Sequence, residues 1–461
     1  MTIERVDINH LLRPYADELV TRCLILETDL LSRAGGILTD HLPSGPWLYV
    51  VDETTWQVAG EQALADIRAT GIQIERYTVE PGPGEVTPVA DDTKVAALES
   101  VLRHGGYGAA VAVGAGTIND IVKTAADNLR MPYAVIATAP SMNGYTSAIS
   151  ALLSKGVKIT RPCRPPVACL VDLGVMAGAP YRMIASGLGD LMSKPVSNAD
   201  WRLAYRMLGA EYASRVMELI DAGACLLEGV APLLPQRATG AVGRLSASLC
   251  ISGMAMALAG SSAPASGGEH LVSHYLDMTH FAWGEPHDFH GCQVGVGTIA
   301  TAALYENLAA LSPADIDIRA RVGRHPDWNR YERLVRERYG SLADAVIDQA
   351  RLAHPAPGEL RRRLELLRNE WTDILADVSR TLRPTQALID ELKSADCPAT
   401  FPEIGVTRER AHRALTCSKD IRDRYTILHL TADLGLLEPW SRLVLDRHFT
   451  GAPAAVAPPA R

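Results

Sequence analysis

Five of the chain's 13 histidines lie between Gly268 and Cys292, a concentration that suggests imidazole chemistry. His270 and His274 are four residues apart in a stretch with a helical pattern, so both imidazoles should lie on one face of the helix. His290 follows 20 residues after His270. Two imidazoles from separate segments, joined by one carboxylate, would form a three-ligand metal site with an open position for water or substrate.

The carboxylate must come from elsewhere in the chain, and IASGLGDLMSK offers Asp190. Burial of a carboxylate in such apolar surroundings is costly unless it is paired or bound to a metal. No local pattern dictates this choice, and a lone histidine on a helix is more often a hydrogen-bonded core residue than a ligand. We interpret His280 and His287 as surface residues or as residues just outside the site.

A glycine turn, Gly114-Ala115-Gly116, separates a strand from a helix in VAVGAGTINDIVK. Glycine permits a sharp turn and a close approach of a ligand to the backbone. The helix that begins near Thr117 would direct free N–H groups and its positive dipole end at the turn, where an anion such as a phosphate is favoured. A plain tight turn is the alternative, because the stretch is neither GxGxxG nor GxxxxGK[ST].

Two further polar features follow predicted strands. Asp52 ends the first strand, where dinucleotide-binding proteins place an acidic residue that binds ribose and disfavours a 2′-phosphate. The alternative is a turn or helix-cap residue. The loop at 137–150 follows another strand at the sheet edge where ligands bind, although it also fits an ordinary polar loop. Its polar side chains are those of Thr138, Ser141, Asn143, Thr146 and Ser147.

The elements that must position these residues form two regions. Short apolar strands alternate with helices up to about residue 175, which predicts a Rossmann-like α/β domain with a parallel sheet. Helical periodicity dominates afterwards and predicts an all-α metal-binding domain. We expect domains at 1–178 and 179–450, with a Pro/Ala-rich disordered tail at 451–461. The predicted strands are WLYVVD, IQIERYTV, GAAVAVGAG, PYAVIATA and VACLVDL, and Asp91 or Asp92 is expected to cap the helix DDTKVAALESVLRH.

The composition narrows the classes of function. The chain has 461 residues, a net charge of −8 and a pI of about 5.9, which argues against a nucleic-acid surface. No uninterrupted apolar run reaches the roughly 18 residues of a membrane helix, and the N-terminus has no signal pattern. Eight scattered cysteines without a CxxC pair predict free thiols in the cytoplasm.

Taken together, these motifs resemble the sn-glycerol-1-phosphate dehydrogenase family of the iron-containing alcohol dehydrogenase and dehydroquinate-synthase-like superfamily. The resemblance spans about residues 45 to 300 and is weaker in the C-terminal third. It rests on VGAGTINDIVK, TAPSMNGYTSAISAL, SGLGDLMSKP followed by ADWRLA, GGEHLVSHYLDM and HGCQVGVGT, which occur in family order.

The resemblance implies metal-dependent reduction of dihydroxyacetone phosphate by NADH or NADPH to sn-glycerol 1-phosphate. It implies one divalent metal, with zinc expected and nickel or iron as alternatives. The metal ligands carried over are Asp190, His270 and His290, and His274 becomes a substrate-contacting residue. The cofactor-binding positions are Gly114, Ala115, Gly116, Thr117, Ile118, Thr138, Ala139, Pro140, Ser141 and Ser147, beside Asp52.

Two positions depart from the family pattern. Asn143 stands where relatives usually have a substrate-contacting Asp, and Cys292 stands where a Glu is more usual. These changes leave open a different phosphorylated or phosphonate carbonyl as substrate. A dehydroquinate-synthase-like lyase that uses NAD transiently and a cofactor-binding protein without turnover are further alternatives.

The expected partners are a small phosphorylated substrate and further copies of the chain in a homo-oligomer, a dimer or larger, with no nucleic acid and no membrane. Candidates for contact with the substrate phosphate are Lys155, Lys158 and Lys194, unless they are exposed solubilising lysines.

Overall fold

The computed structural model describes residues 4–154 and 157–448. The predicted tail at 451–461 and Lys155 lie outside the described residues. Eight strands occur in the described part of the chain: β1 Cys23–Glu27, β2 Trp47–Val51, β3 Ile74–Thr78, β4 Ala109–Gly114, β5 Tyr133–Ala137, β6 Ile149–Ser154, β7 Val157–Pro162 and β8 Ala168–Asp172.

The α-helices of the described residues, in chain order, are α1 Asn9–Leu12, α2 Ala34–Thr39, α3 Glu53–Thr55, α4 Glu61–Ala69, α5 Asp92–His104, α6 Gly116–Asn128, α7 Leu173–Gly178, α8 Tyr181–Leu191, α9 Lys194–Leu208, α10 Ser214–Cys225, α11 Thr239–Ala259, α12 Gly268–Trp283, α13 His290–Ala309, α14 Ile318–Arg324, α15 Trp328–Tyr339, α16 Ala343–Ala353, α17 Pro357–Asn369, α18 Trp371–Val378, α19 Thr385–Ser394, α20 Arg408–Cys417, α21 Ile427–Leu434 and α22 Leu437–His448.

The chain divides into two compact units. The first comprises the described residues up to Leu191 together with Ser214–Ser262, and the second comprises Met192–Ala213 and the described residues from Ala263 onward. The expected division at 178/179 differs from this one, because α8, α10 and α11 group with the α/β unit. The reason is packing: α11 contacts α7, α8, α10 and strand β1.

The first unit is built on a parallel six-stranded sheet with the order β1-β8-β5-β4-β2-β3. All five predicted strands are present in it, and the predicted α/β fold class is confirmed. Strand β1 was not predicted; it pairs with β8, with Cys23 opposite Ala168. Buried side chains of the sheet pack with α2 and α4 in one apolar core that includes Leu38, Val51 and Ile67.

The first unit also contains a capped helix, α5, and a second, two-stranded sheet. Asp91 caps α5 as predicted, accepting a hydrogen bond of 2.8 Å from the backbone N–H of Lys94. An antiparallel strand pair, β6–β7, begins at Ile149, at the end of the expected loop at 137–150, and was not predicted from the sequence.

The second unit is helical, as predicted, and the described residues after Asp172 form no further strand. Helices α12 and α13 pack against each other, and α13 also contacts α19, α21 and α22. Among the helices of the described residues, one, α11 in the first unit, is long and apolar enough to cross a membrane, but 83% of its apolar window is buried inside the protein. Helices that are apolar on every side are typical of protein cores as well.

Candidate active site

Two of the predicted cofactor-binding segments lie at the point where the strand order of the sheet reverses. The chain leaves β2 for β3 on one side and then returns to β4 on the other side of β2. Asp52 follows β2, and Gly114 ends β4. Because parallel α/β sheets bind ligands outside the carboxyl ends of their strands at such a switch point, this edge is where a dinucleotide would be expected.

The turn after β4 leads directly into α6. A Cβ atom on Gly114 would lie 2.6 Å from the Cβ of Ile118, so only glycine lets the strand end this close to the first helical turn. Ala115 is the extended N-cap residue of α6, and no side chain caps the helix. The first N–H groups of α6 therefore lack helical acceptors and side-chain caps, which is the arrangement that binds phosphate at helix N-termini.

Asp52 acts as a helix cap in the structure, one of the two roles that the sequence leaves open. Its Oδ1 accepts a hydrogen bond of 2.7 Å from the N–H of Thr55, and its own N–H donates to the Thr55 hydroxyl over 3.0 Å. This capping box starts α3. Asp52 is half-buried, and its cofactor role stays a prediction.

The hydroxyl-rich segment after β5 is held by neighbouring helices of the first unit. The Ser186 hydroxyl on α8 donates to the carbonyl of Ser141 over 2.8 Å, and the Thr146 hydroxyl donates to the carbonyl of Cys250 on α11 over 2.6 Å. Tyr145, which sequence reasoning missed, is buried and donates to the carbonyl of Ala139 over 2.8 Å. The segment is therefore a fixed surface at the edge of the sheet.

Lys123 of α6 is a fully buried cation that contacts the segment after β5. The sequence analysis did not identify it. Its Nζ lies 2.6 Å from the carbonyl oxygen of Gly144 and 3.0 Å from those of Ser147 and Ile149. Three carbonyls thus match the three hydrogens of the ammonium. Burial lowers the pKa of Lys123, and the neighbouring Asp120 carboxylate opposes that shift.

The predicted cofactor-binding hydroxyls differ in how far they are already engaged. Ser147 is fully buried, and its Oγ lies 2.9 Å from the carbonyl oxygen of Gly144 and 3.0 Å from that of Ile149, so its single hydrogen is donated to one of the two carbonyls. Thr138 and Ser141 are also buried, directly after β5. The cofactor-binding role of Ser147 stays a prediction.

Asp190 and Asn143 form a close pair in the first unit. The backbone N–H of Asn143 donates to Oδ2 of Asp190 over 2.9 Å, and its side-chain amide donates to Oδ1 over 3.2 Å. Asp190 is fully buried at the end of α8. An aspartate at position 143 would place a second carboxylate against Asp190, so the asparagine that departs from the family pattern serves here as a donor to a predicted metal ligand.

Three of the histidines in the second unit, His270, His274 and His290, lie close together. The ring centroids of His270 and His290 lie 5.2 Å apart, those of His274 and His290 5.7 Å, and those of His270 and His274 6.3 Å. His270 and His274 are buried on α12, and His290 begins α13. His280 and His287 instead stack on each other at 3.6 Å, and the structure pairs neither ring with those three.

Each of the two predicted histidine ligands has its Nδ1 held by a neighbour. Nδ1 of His270 lies 2.8 Å from Oε1 of Glu269, and Nδ1 of His290 lies 3.1 Å from the Ser273 hydroxyl. Such contacts leave Nε2 as the coordinating nitrogen of each ring. Sequence reasoning missed Glu269 and Ser273, although both lie within the quoted GEHLVSH motif.

A second buried carboxylate, Asp200, lies beside Glu269. Its oxygens accept hydrogen bonds from the Tyr305 hydroxyl over 2.6 Å and from the backbone N–H groups of Gly268 and Ile427 over 2.7 Å each. Burial, followed by the charge of Glu269, raises the pKa of Asp200 to about 7. Asp200 and Glu269 thus accept hydrogen bonds from the backbone at the start of α12.

Among the described residues, one group of three or more His, Cys, Asp or Glu side chains is able to hold a metal ion, and it consists of Asp190, His270 and His290. One carboxylate and two imidazoles suit zinc, nickel or iron, so the donor set fits the expected group.

Cys292 is buried near the start of α13. Of the candidate lysines, Lys194 is buried at the start of α9, and Lys158 is partly exposed on β7.

The chain is similar to known dehydrogenases. Residues 25–180 match the family model described as iron-containing alcohol dehydrogenase. The chain is 29% identical over 392 residues to a glycerol-1-phosphate dehydrogenase [NAD(P)+] of Bacillus licheniformis, covering 84% of this chain and 83% of the relative. It is 31% identical to that of Pyrococcus furiosus, covering 62% and 78%. A probable glycerol dehydrogenase from Sinorhizobium meliloti has a similar fold, with TM-score 0.59 and 15% identity over 92% of this chain and 98% of that one.

Proposed function

The chain belongs to the glycerol-1-phosphate dehydrogenase family, and from this premise we propose that it reduces dihydroxyacetone phosphate to sn-glycerol 1-phosphate with NAD(P)H and a divalent metal. It is an NAD(P)-dependent oxidoreductase of the iron-containing alcohol dehydrogenase superfamily. The observation that carries the proposal is the grouping of Asp190, His270 and His290, one carboxylate and two imidazoles that are able to hold a metal ion.

The residues divide the work of the reaction between them. Asp190, His270 and His290 would hold the metal, which supplies Lewis-acid polarisation of a carbonyl when bound. The N-terminus of α6 would bind the pyrophosphate of the cofactor through its uncapped N–H groups, and the hydroxyl-rich segment after β5 would contact the nicotinamide end. His274 lies beside both histidine ligands and holds the proton that the product hydroxyl requires.

An assay of the full-length, zinc-loaded protein tests this function directly. We expect dihydroxyacetone phosphate to drive net oxidation of NADH, followed by absorbance, with sn-glycerol 1-phosphate as the product identified by stereospecific enzymes. Net consumption of NADH separates a dehydrogenase from a lyase that regenerates its NAD. The absence of net oxidation with every phosphorylated ketone offered would refute the proposal.

Asn143 favours a second candidate, a dehydrogenase for another phosphorylated or phosphonate-bearing carbonyl. Its amide already donates to Asp190, so the pocket has one negative charge fewer than a pocket with aspartate there. A substrate panel that includes phosphonates and larger ketone phosphates decides between the two, since the preferred substrate has the highest kcat/KM.

The half-buried carboxylate of Asp52 predicts a preference for NADH over NADPH, because it would repel the 2′-phosphate. Asp52→Ser should raise kcat/KM with NADPH relative to NADH by about tenfold, the factor that 1.4 kcal/mol of relieved repulsion gives. Serine is also a good helix cap, so stability should change little. Steady-state kinetics with both cofactors measure the ratio.

Thr55→Ala is the matched control for Asp52, because it removes the other half of the same capping box. It should lower stability by about 1 kcal/mol without altering the cofactor ratio. A wild-type preference for NADPH would show that Asp52 is only a cap.

We further propose that the protein acts in the cytoplasm. All eight cysteines are free thiols, and only Cys225 is exposed among them, which suits a reducing compartment. Assembly into a homo-oligomer, a dimer or larger, stays a prediction, and sedimentation of the purified protein would measure it.

A further inference from the structure

The carboxylate of Glu269 lies beside a predicted metal ligand and makes few contacts of its own. The side chain is fully buried, and its Oε1 accepts hydrogen bonds from the N–H of Gly267 over 2.7 Å and from Nδ1 of His270 over 2.8 Å. Its Oε2 is buried and has no hydrogen-bond partner in the part of the chain that the structure describes. An unpaired carboxylate oxygen in the interior is costly, so its retention calls for a function.

The nearby carboxylate of Asp200 increases the free-energy cost of burying the charge of Glu269. A Cβ atom on Gly267 would lie 2.6 Å from Oδ2 of Asp200 and 2.8 Å from Oε2 of Glu269, so the two acidic oxygens converge on one point. Asp200 is occupied by three donors that fix the starts of α12 and α21. Among the described residues, the one side chain that donates a hydrogen bond to Glu269 is His270, and Arg424 interacts with both carboxylates through its charge. Asp200 therefore fixes the helix starts, whereas the hydrogen-bonded side-chain partner of Glu269 is the imidazole.

The hydrogen bond to Glu269 also fixes the chemical form of His270. Carboxylate oxygens accept, so Nδ1 must carry the hydrogen and Nε2 must carry the lone pair. A neighbouring negative charge makes that lone pair a stronger donor to a cation. His290 has the weaker version of the same arrangement, because its Nδ1 meets the neutral hydroxyl of Ser273.

We propose that Glu269 is a positioning residue that sets the tautomer of His270 and strengthens the binding of the divalent metal through that ring. The inference rests on the proposed function, since it presumes that His270 is a ligand. Loss of such an outer carboxylate typically lowers metal affinity by about 10–100-fold.

The test compares the zinc affinities of full-length variants by titrating the metal-free protein against a competing chelator. Glu269→Gln keeps an oxygen for Gly267 and His270 but removes the charge, and we expect zinc binding about 10–100-fold weaker than wild type. Glu269→Leu removes the acceptor as well and should bind more weakly still. Ser273→Ala should have a smaller effect than Glu269→Gln, because it removes a neutral partner.

Asp277→Asn is the matched control, a buried carboxylate on the same helix whose Oδ1 accepts from the Gln293 amide over 2.7 Å. It should leave zinc affinity unchanged. Thermal unfolding of the metal-free proteins separates positioning from folding, because Glu269→Gln should lower the affinity without lowering that Tm below the Tm of Asp277→Asn. The cobalt(II)-loaded variant should also have a shifted d–d absorption spectrum, which a purely structural role would not change.

The outcomes separate the two proposals. If wild-type protein binds no divalent cation, the proposed function fails. If wild type binds zinc and Glu269→Gln binds it equally tightly, the function stands and the positioning role is rejected. Should Glu269→Leu fail to fold, Glu269→Gln with its unchanged shape still decides the question.

Discussion

Replacing His270 or His290 with alanine is expected to remove the bound metal and the turnover together. Either change takes one of two imidazoles from a three-ligand site, and one carboxylate with one imidazole is too few to hold a divalent ion tightly. Because a metal contributes several kcal/mol to stabilising charge in the transition state, turnover should fall by at least about 1,000-fold. Metal content by mass spectrometry and steady-state rates on the same samples measure both losses.

The control for these variants is His280→Ala, which removes a histidine from the same helix that stacks on His287 instead. It should retain full metal content and activity. NADH binding, followed by fluorescence, should persist in all three variants, because the predicted cofactor residues belong to the first unit. Full activity in a metal-free double variant would contradict the assignment of this site.

The residues that sequence reasoning identified are those with a strong local signal. The strand β4, the turn at Gly114 and the helix α6 follow one another directly, so their order alone predicts a tight turn, with phosphate binding as one of its two possible roles. The spacing of His270 and His274 places both on one helical face for the same local reason. Asp190 lacks such a signal, and the resemblance to the family, rather than any spacing, identified it.

The residues that were missed act through contacts distant in sequence. Strand β1 is a short apolar run whose partner β8 lies about 145 residues later, so no local pattern distinguishes it from a buried helix. Helix α11 is apolar on nearly every side. That pattern predicts burial but does not say which unit provides the surrounding surface.

Lys123 and Glu269 illustrate a further limit of sequence patterns. A charged residue on a helix is ordinarily assigned to the solvent face, because its burial is costly. Both side chains are nevertheless fully buried, and loop carbonyls contact Lys123 while the His270 imidazole contacts Glu269. Only the folded chain provides the carbonyls and the imidazole that offset the cost of burying these two charges.

Lys123→Met should destabilise the first unit by about 3–5 kcal/mol, the usual cost of removing one partner from a buried charged interaction. Methionine nearly preserves the volume, so the loss would come from hydrogen bonds. The carbonyls of Gly144, Ser147 and Ile149 would lose a common donor in the interior, and each unpaired carbonyl costs about 1–3 kcal/mol. Unfolding in urea, followed by circular dichroism, measures the change.

Lys158→Met is the matched control, because Lys158 is partly exposed on the hairpin that follows the same loop. A surface substitution of this kind should change stability by no more than about 0.5 kcal/mol. If the carbonyls recruit water instead, Lys123→Met would cost about 1 kcal/mol or less, and the ammonium would not be the element that holds the loop. If the loop loosens as expected, NADH binding should weaken in Lys123→Met but not in Lys158→Met, since the segment after β5 would no longer be held at the edge of the sheet. A loss of stability without weaker NADH binding would separate the loop's structural role from the cofactor role assigned to Thr138, Ala139, Pro140 and Ser141.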